Sequence, residues 1–370
     1  MYNKKSDDPS VIGPKSYFGN KIGGFRYHVD RLPLKLYSNL KDTFWSSQWL
    51  PHNIHGKIDH IAPDVVHLHW ICGGFVPVQE IAKIKQPTVW TLHDMWAFTG
   101  GCHYSGNCDK YKYECGSCPV LGSVKDGDLS NWVWKRKKEY WADLDFTVVT
   151  PSRWLADCAH SSSLFEDKKI EVIPNGLDLE KYKPVSKDEA RMALNLPLDK
   201  NLVLFGAMNS TGDKRKGFQY LRSAINMLSE NLDFEAIVFG NAGVGDQLEI
   251  PVNYMGRLPD NMLNSIYSSA DVFVAPSLQD NLPNTVMESL ACGTPSVAFN
   301  IGGMSDMIVH KQNGYLAKPF NVEDLAQGIK WVVEQAQRKK HLSASSRKYV
   351  ETNYEIKAIA KKYSDLYSIL

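Results

Sequence analysis

No stretch of this chain is apolar over the about 18 residues that a membrane-spanning helix requires. The opening MYNKKSDDPSVIGPKS carries charges but no apolar core, so it does not read as a secretory leader. Neither sign of charge is in surplus: 42 Lys and Arg face 41 Asp and Glu, for a formal net charge of +1. With no broad basic field to gather a polyanion, nucleic acid is not an expected partner. Low-complexity segments and repeats of fixed period are also missing. Seven cysteines without an export signal point to a reducing, cytoplasmic setting. What remains is an ordinary globular composition, 43% hydrophobic and 22% charged, over 370 residues. At about 150 residues per domain, that length predicts two domains.

The second half alternates β-rich runs with helical patterns. Strands are predicted at 201–208, 234–240, 252–256, 271–277 and 295–299, and helices at 217–229, 260–269, 285–292 and 322–336. With helical patterns between most of the strands, the alternation implies a parallel sheet covered on both faces, with ligands bound beyond the carboxyl ends of its strands. The first half is sparser. Strands are predicted at 64–70, 87–93, 145–150 and 170–174, and helices near 76–84, 131–142 and 152–160. Pro174-Asn175-Gly176 marks the expected boundary, giving domains 1–176 and 177–355 and a terminal helix 356–370. Residues 1–52 show no βαβ unit, and the strand with a Gly-rich turn that usually opens such a sheet is not found. The first domain is therefore expected to be incomplete at its start.

One segment concentrates chemistry. In QDNLPNTVMESLACGTP, Asp280 and Glu288 flank a turn rich in Asn and Pro. Asn284 is a good N-cap for a helix starting near Thr285, and free N–H groups near Asn284, Thr285 and Val286 would form an anion site. Glu288, about one turn in, could accept hydrogen bonds from a ribose diol, as an acid does in dinucleotide sites. Its other reading is an acid complementing the helix dipole. Lys216, just before Gly217, stands at a strand-to-helix loop where an ammonium can neutralise a diphosphate and a leaving group. A solvated turn is the alternative for DKRKG.

These residues carry a resemblance. The chain from about residue 60 is similar to family 4 retaining glycosyltransferases of the GT-B fold, in wording nearest the bacterial exopolysaccharide enzymes of colanic-acid type. The matching elements are Asp280, seven residues and Glu288; the run ACGTPSV; Lys216-Gly217; GRLPDNMLNSIYSSADVFVAPS; IEVIPNGLD; and NGYLAKPFNVEDLAQGI. The resemblance implies two Rossmann-like doubly wound α/β domains facing a cleft, with the last helix returning to the first domain. It further implies that Glu288 holds ribose and Lys216 the diphosphate. Asp280 would sit by the transferred sugar, with amides near Asn284 and Thr285 on phosphate or sugar. Arg257 and Leu258 would lie against the base. Two departures stand out. The first acid is usually Glu rather than Asp280, and Gly206 is followed by Ala207 where the family often has Arg. Arg215 either supplies that charge or points to water.

In the first half, His93 ends a strand and resembles the family histidine that contacts the donor sugar; a hydrogen-bonded loop histidine is its other reading. His67 and His69 read as strand packing, with Trp70 opposite. Cys102, Cys108, Cys115 and Cys118 are spaced C-x5-C-x6-C-x2-C, which suits either a structural zinc or unliganded thiols. NWVWKRKKEYW at 131–141 mixes Trp with basic residues. It reads either as a helix resting on an anionic membrane or as one with an aromatic core face.

The resemblance thus implies a metal-independent transfer of sugar from a nucleotide-diphosphate donor to a glycan or lipid-linked glycan. The expected setting is the cytoplasm, at the inner face of the membrane where the acceptor is lipid-linked. The alternatives are a non-catalytic nucleotide-sugar binding or assembly subunit, and a glycoside hydrolase using Asp280 and Glu288 as a pair.

Overall fold

The computed structural model describes residues 8–13, 17–41, 44–206, 213–229, 233–240, 248–338 and 341–370. The chain divides into two compact units: Met1–Val172 with Tyr367–Leu370, and Ile173–Leu366.

The second unit is built on six parallel strands: β5 (Asn201–Gly206), β6 (Phe234–Phe239), β7 (Val252–Gly256), β8 (Val272–Ala275), β9 (Ser296–Phe299) and β10 (Gly314–Ala317). Their spatial order is β10-β9-β8-β5-β6-β7. Leu202 and Leu204 of β5 pack with Ile266, Val286 and Leu290 on one face. Val203 and Phe205 pack with Leu221, Ile225 and Leu325 on the other. Each such side chain contributes about 1.5–3 kcal/mol when fully buried, so helices on both faces are what make these continuous apolar runs stable as strands. From β5 the chain builds outward to β7, then crosses back to β8 and builds the opposite way. The order reverses between β5 and β8, which makes the carboxyl ends of those two strands the natural ligand crevice.

The first unit holds a four-stranded parallel sheet, ordered β1 (Val66–Leu68), β2 (Thr88–Thr91), β3 (Thr147–Thr150) and β4 (Ile170–Val172). Its core is aromatic, with Trp90, Trp96, Phe98, Trp141, Phe146 and Phe165 in one cluster. Ahead of β1 the described residues carry helices Tyr17–Asp30 and His55–Ile61 and an isolated antiparallel bridge between Trp45 and Cys102. No strand of the sheet precedes β1 among the described residues.

Several elements differ from expectation. The 64–70 run keeps only Val66–Leu68 in the sheet, and His69 and Trp70 lie beyond it. Strand β10 was not anticipated. It begins at Gly314, where a Cβ would stand 2.1 Å from the Ser296 carbonyl, and an opening glycine weakens the strand pattern. Helices Lys187–Ala193 and His341–Asn353 were also not anticipated. The basic-aromatic helix runs Leu129–Trp141, capped by Asp128, whose carboxylate accepts from the N–H groups of Ser130 and Asn131. Trp134 and Trp141 are buried, while Trp132 is exposed beneath the Arg136 guanidinium, 4.4 Å from its ring centre. The turn after β4 is tied to the start of the last helix, Ile356–Tyr367: Leu177 N–H donates to the Tyr354 carbonyl (2.7 Å), and Ile356 N–H to that of Leu177 (3.1 Å). That helix belongs to the second unit as far as Leu366. No helix among the described residues is long and apolar enough to cross a membrane.

Candidate functional site

The reversal point of the second sheet gathers charge. Past β5, Asp213 caps a short turn, Lys214–Lys216, by accepting from Arg215 N–H at 3.0 Å. Gly217 follows at φ 71°, where a Cβ would lie 1.9 Å from the Pro276 carbonyl. Only glycine lets this turn press against the chain leaving β8. Leu278 N–H then donates to the Arg215 carbonyl at 2.7 Å, locking the two loops together.

The contact delivers two cations to one buried carboxylate. Lys216 Nζ lies 2.6 Å and Arg215 Nη1 3.2 Å from Asp280 Oδ2. The Ser277 hydroxyl adds a bond at 3.3 Å. Burial works to raise the Asp280 carboxyl, but the Lys216 and Arg215 charges outweigh it and hold the group below its ordinary range. Arg215 is thus drawn into the cluster rather than into water, its guanidinium also bonding the Gln279 carbonyl and Asp213. A third loop closes behind. Gly303 N–H donates to the Asp280 carbonyl at 3.1 Å, and a Cβ on Gly302 would stand 1.9 Å from that oxygen. The Gly302-Gly303 pair escaped sequence reasoning, although two adjacent glycines after a strand were the available signal.

The helix carrying Glu288 spans Asn284–Ala291. Its cap is Pro283, not Asn284: no side chain caps it, and Asn284 Oδ1 instead accepts from Asn175 Nδ2 at 3.3 Å. The Pro283 carbonyl accepts the N–H of Val286 at 3.1 Å, which withdraws Val286 from the expected anion donors. Asn284 and Thr285 occupy the first two helical positions, where backbone N–H groups lack intrahelical acceptors. Glu288 is half-buried. Its carboxylate accepts from the Tyr267 hydroxyl at 2.6 Å and from Tyr182. Burial pushes this carboxyl up, with the two hydroxyls opposing.

Of the remaining expected residues, Leu258 packs on the core cluster that includes Tyr267 and Val286, and Arg257 is exposed. Gly206 ends β5 where a Cβ would sit 1.9 Å from the Phe239 ring, so packing alone accounts for that glycine. The departure at Ala207 lies outside the described residues.

In the first unit, His93 follows β2 and His69 follows β1, side by side. His69 Nδ1 and His93 Nε2 are 3.0 Å apart, with rings stacked at 5.3 Å. His67 bonds the Tyr367 hydroxyl at 2.6 Å and Thr91 at 2.8 Å, and its ring lies 4.2 Å from that of His69. The packing reading holds for His67 on β1, whereas His69 lies beyond the strand and is exposed; the three rings form one hydrogen-bonded and stacked array. Burial, reinforced by His69, pushes His93 down, and His67 falls to about 4 for the same reason plus the neighbouring imidazoles. Asp94, next to His93, accepts from Trp96 N–H at 2.8 Å and bonds His103 Nδ1 at 2.7 Å. This buttress also escaped sequence reasoning.

The four expected cysteines line a single cavity of about 20 Å³. No group of three or more His, Cys, Asp or Glu side chains among the described residues stands in metal-ligand geometry. Burial and the neighbouring thiols raise Cys102, while burial pushes Cys115 up to about 12.

Comparison with known proteins places these features. The profile described as Glycosyltransferase Family 4 matches residues 8–181, and that described as Glycosyl transferases group 1 matches residues 199–335. A putative colanic acid biosynthesis glycosyl transferase, WcaC of Escherichia coli, is 25% identical over 294 residues, covering 74% of this chain and 67% of WcaC. The UDP-Gal:alpha-D-GlcNAc-diphosphoundecaprenol alpha-1,3-galactosyltransferase of Escherichia coli is 25% identical over 210 residues, 54% of each chain. Among solved structures, Anabaena HepE in complex with UDP superposes with a TM-score of 0.61 at 18% identity, over 85% of this chain and 82% of HepE. The chain spans 60% of the length of curated glycosyltransferases from Methanocaldococcus jannaschii and Bacillus subtilis. The fold is GT-B.

Proposed function

The chain belongs to the family 4 glycosyltransferases, and from that premise we propose that it transfers a sugar, with retention, from a nucleotide-diphosphate sugar to a glycan or lipid-linked glycan during surface polysaccharide synthesis. The observation that carries this reading is the Lys216–Asp280–Arg215 cluster at the reversal point of the second sheet, one helix away from Glu288. Lys216 and Arg215, positioned by Asp280 and Asp213, bring two cationic donors to the crevice where a diphosphate would bind. Glu288 would clasp the ribose hydroxyls, with the amides of Asn284 and Thr285 on phosphate or sugar. Leu258 would back the base, beside Arg257. The relative in Escherichia coli that uses UDP-galactose and a diphosphoundecaprenol acceptor, and HepE with its bound UDP, support a UDP-type donor and a lipid-linked acceptor.

In this reaction the acceptor hydroxyl attacks the anomeric carbon from the face the diphosphate leaves. The bond from that carbon to the diphosphate oxygen breaks, and the acceptor proton passes to a donor phosphate oxygen. Lys216 and Arg215 stabilise the charge growing on the leaving diphosphate, so the step calls for no divalent ion. Asp280 holds Lys216 in place and lies beside the transferred sugar.

A thermal-shift screen against UDP-, GDP- and ADP-sugars tests donor binding and identifies the base. Lys216→Ala should then lower kcat by about 10²–10³-fold, as loss of one oxyanion donor does elsewhere, with the donor still bound. Undiminished turnover in that variant removes the assigned role.

A further inference from the structure

We infer that Cys102, Cys108, Cys115 and Cys118 bind one zinc ion that staples the loop between β2 and β3, a structural metal apart from the transfer reaction. Three observations converge on the cavity these thiols share. First, all four cysteines line one small cavity, of about 20 Å³. Second, the surroundings already donate to sulfur. Gly100 N–H points to Cys115 Sγ at 3.1 Å, and the N–H groups of Val120 and Leu121 donate to Cys118 Sγ. Several N–H donors on one sulfur suit an anionic thiolate, since a neutral thiol is a weak acceptor. Third, Trp45 lines the cavity, is 3% exposed, and its Nε1–H has no hydrogen-bond partner. An orphaned indole donor beside a cavity of thiols is costly unless an acceptor arrives there.

Charge balance points the same way. Four thiolates around Zn²⁺ carry a net charge of about −2, and their formation releases about four protons to solvent. Lys137 is fully buried; its ammonium donates to the carbonyls of Trp96 and Thr99, and its ionisable neighbours include Cys115 and Cys102. Lys110, also on the cavity wall, donates to the carbonyls of Gly116 and Ser117 between the last two cysteines. The Asp94 carboxylate already stands among the charges acting on this ammonium, and a zinc tetrathiolate would add negative charge on its cysteine side. The ion would draw the four sulfurs inward to tetrahedral distance at about 2.3 Å.

The full chain, produced in zinc-supplemented medium and purified without chelators, should contain about one zinc per molecule. Cobalt in place of zinc should give the visible bands of a tetrahedral sulfur site with intense sulfur-to-metal charge transfer. Cys102→Ser and Cys118→Ser should each lose the metal, whereas Cys158→Ser and Cys292→Ser, outside the cavity, should keep it. If a cavity variant fails to fold, metal content and the cobalt spectrum of the unaltered protein still decide. Below about a tenth of an equivalent of metal, with the four thiols free to a thiol reagent, the inference is overturned. Iron with inorganic sulfide in place of zinc overturns it equally.

Discussion

Glu288 is a carboxylate whose setting is fixed by its neighbours. Two tyrosine hydroxyls orient it while burial keeps its proton affinity high. Exchange for the isosteric amide removes charge-assisted bonds to the ribose diol, worth about 1.5–3 kcal/mol in comparable settings. Glu288→Gln should therefore weaken binding of the nucleoside diphosphate by about 10–100-fold in calorimetry. Affinity equal to that of the unaltered protein would remove Glu288 from the ribose. His67 offers a second test at this scale, through pH. In the folded chain it titrates near 4, against 6.5 for an unperturbed imidazole, so the unfolded chain binds more protons between those values. The stabilisation is complete above about 6.5 and drains away as pH falls toward 4. Urea unfolding at pH 7.5 and pH 5 should show this loss, and His67→Gln should flatten it. An unchanged slope in the variant would assign the pH dependence to other groups.

At the scale of elements, two glycines join the three loops around Asp280. Gly217 and Gly302 combine positive φ with a Cβ position 1.9 Å from a carbonyl oxygen. Gly256 shares the positive φ, at 59°, but a Cβ there meets nothing within 4 Å. Gly256→Ala should cost only the left-handed backbone penalty, about 1–2 kcal/mol. Gly217→Ala and Gly302→Ala must in addition push the loops apart, and should each lower Tm further while abolishing donor binding. Differential scanning calorimetry of the three variants checks the ranking; equal losses would mean that loop contact is not what these glycines secure. The same proximity explains why the cluster was only half legible. Lys216, Asp280 and Glu288 stand in recognisable local patterns, whereas Arg215 owes its place to a carbonyl and a carboxylate more than sixty positions away. The Asn284 cap was misread because Pro283 supplies the cap position and Asn175 claims the side chain.

Across the whole molecule, donor binding should leave a distinctive footprint. The candidate site is assembled from segments near 213–217, 276–281, 284–288 and 301–303, all in the second unit. A ligand at about 100 times its Kd stabilises the state it binds by about 2.7 kcal/mol. Hydrogen exchange with and without donor should therefore slow in those four segments. Strand β10, at the edge of the same sheet opposite β7, serves as an internal reference. Protection spread evenly over the second sheet, with none concentrated there, would move the donor site elsewhere.

The linear order of residues was enough for the alternation of strand and helix, because apolar runs of strand length between amphipathic stretches admit little else. It was also enough for the acid pair and the lysine before a glycine, which lie in short local motifs. Strand β10 and the histidine array were beyond it. Gly314 hides a strand whose place is fixed by the Ser296 carbonyl on its neighbour. His67, His69 and His93 come together only because β1 and β2 lie side by side in parallel register. Distances between residues remote in sequence are set by sheet order and loop packing, and no local pattern encodes them.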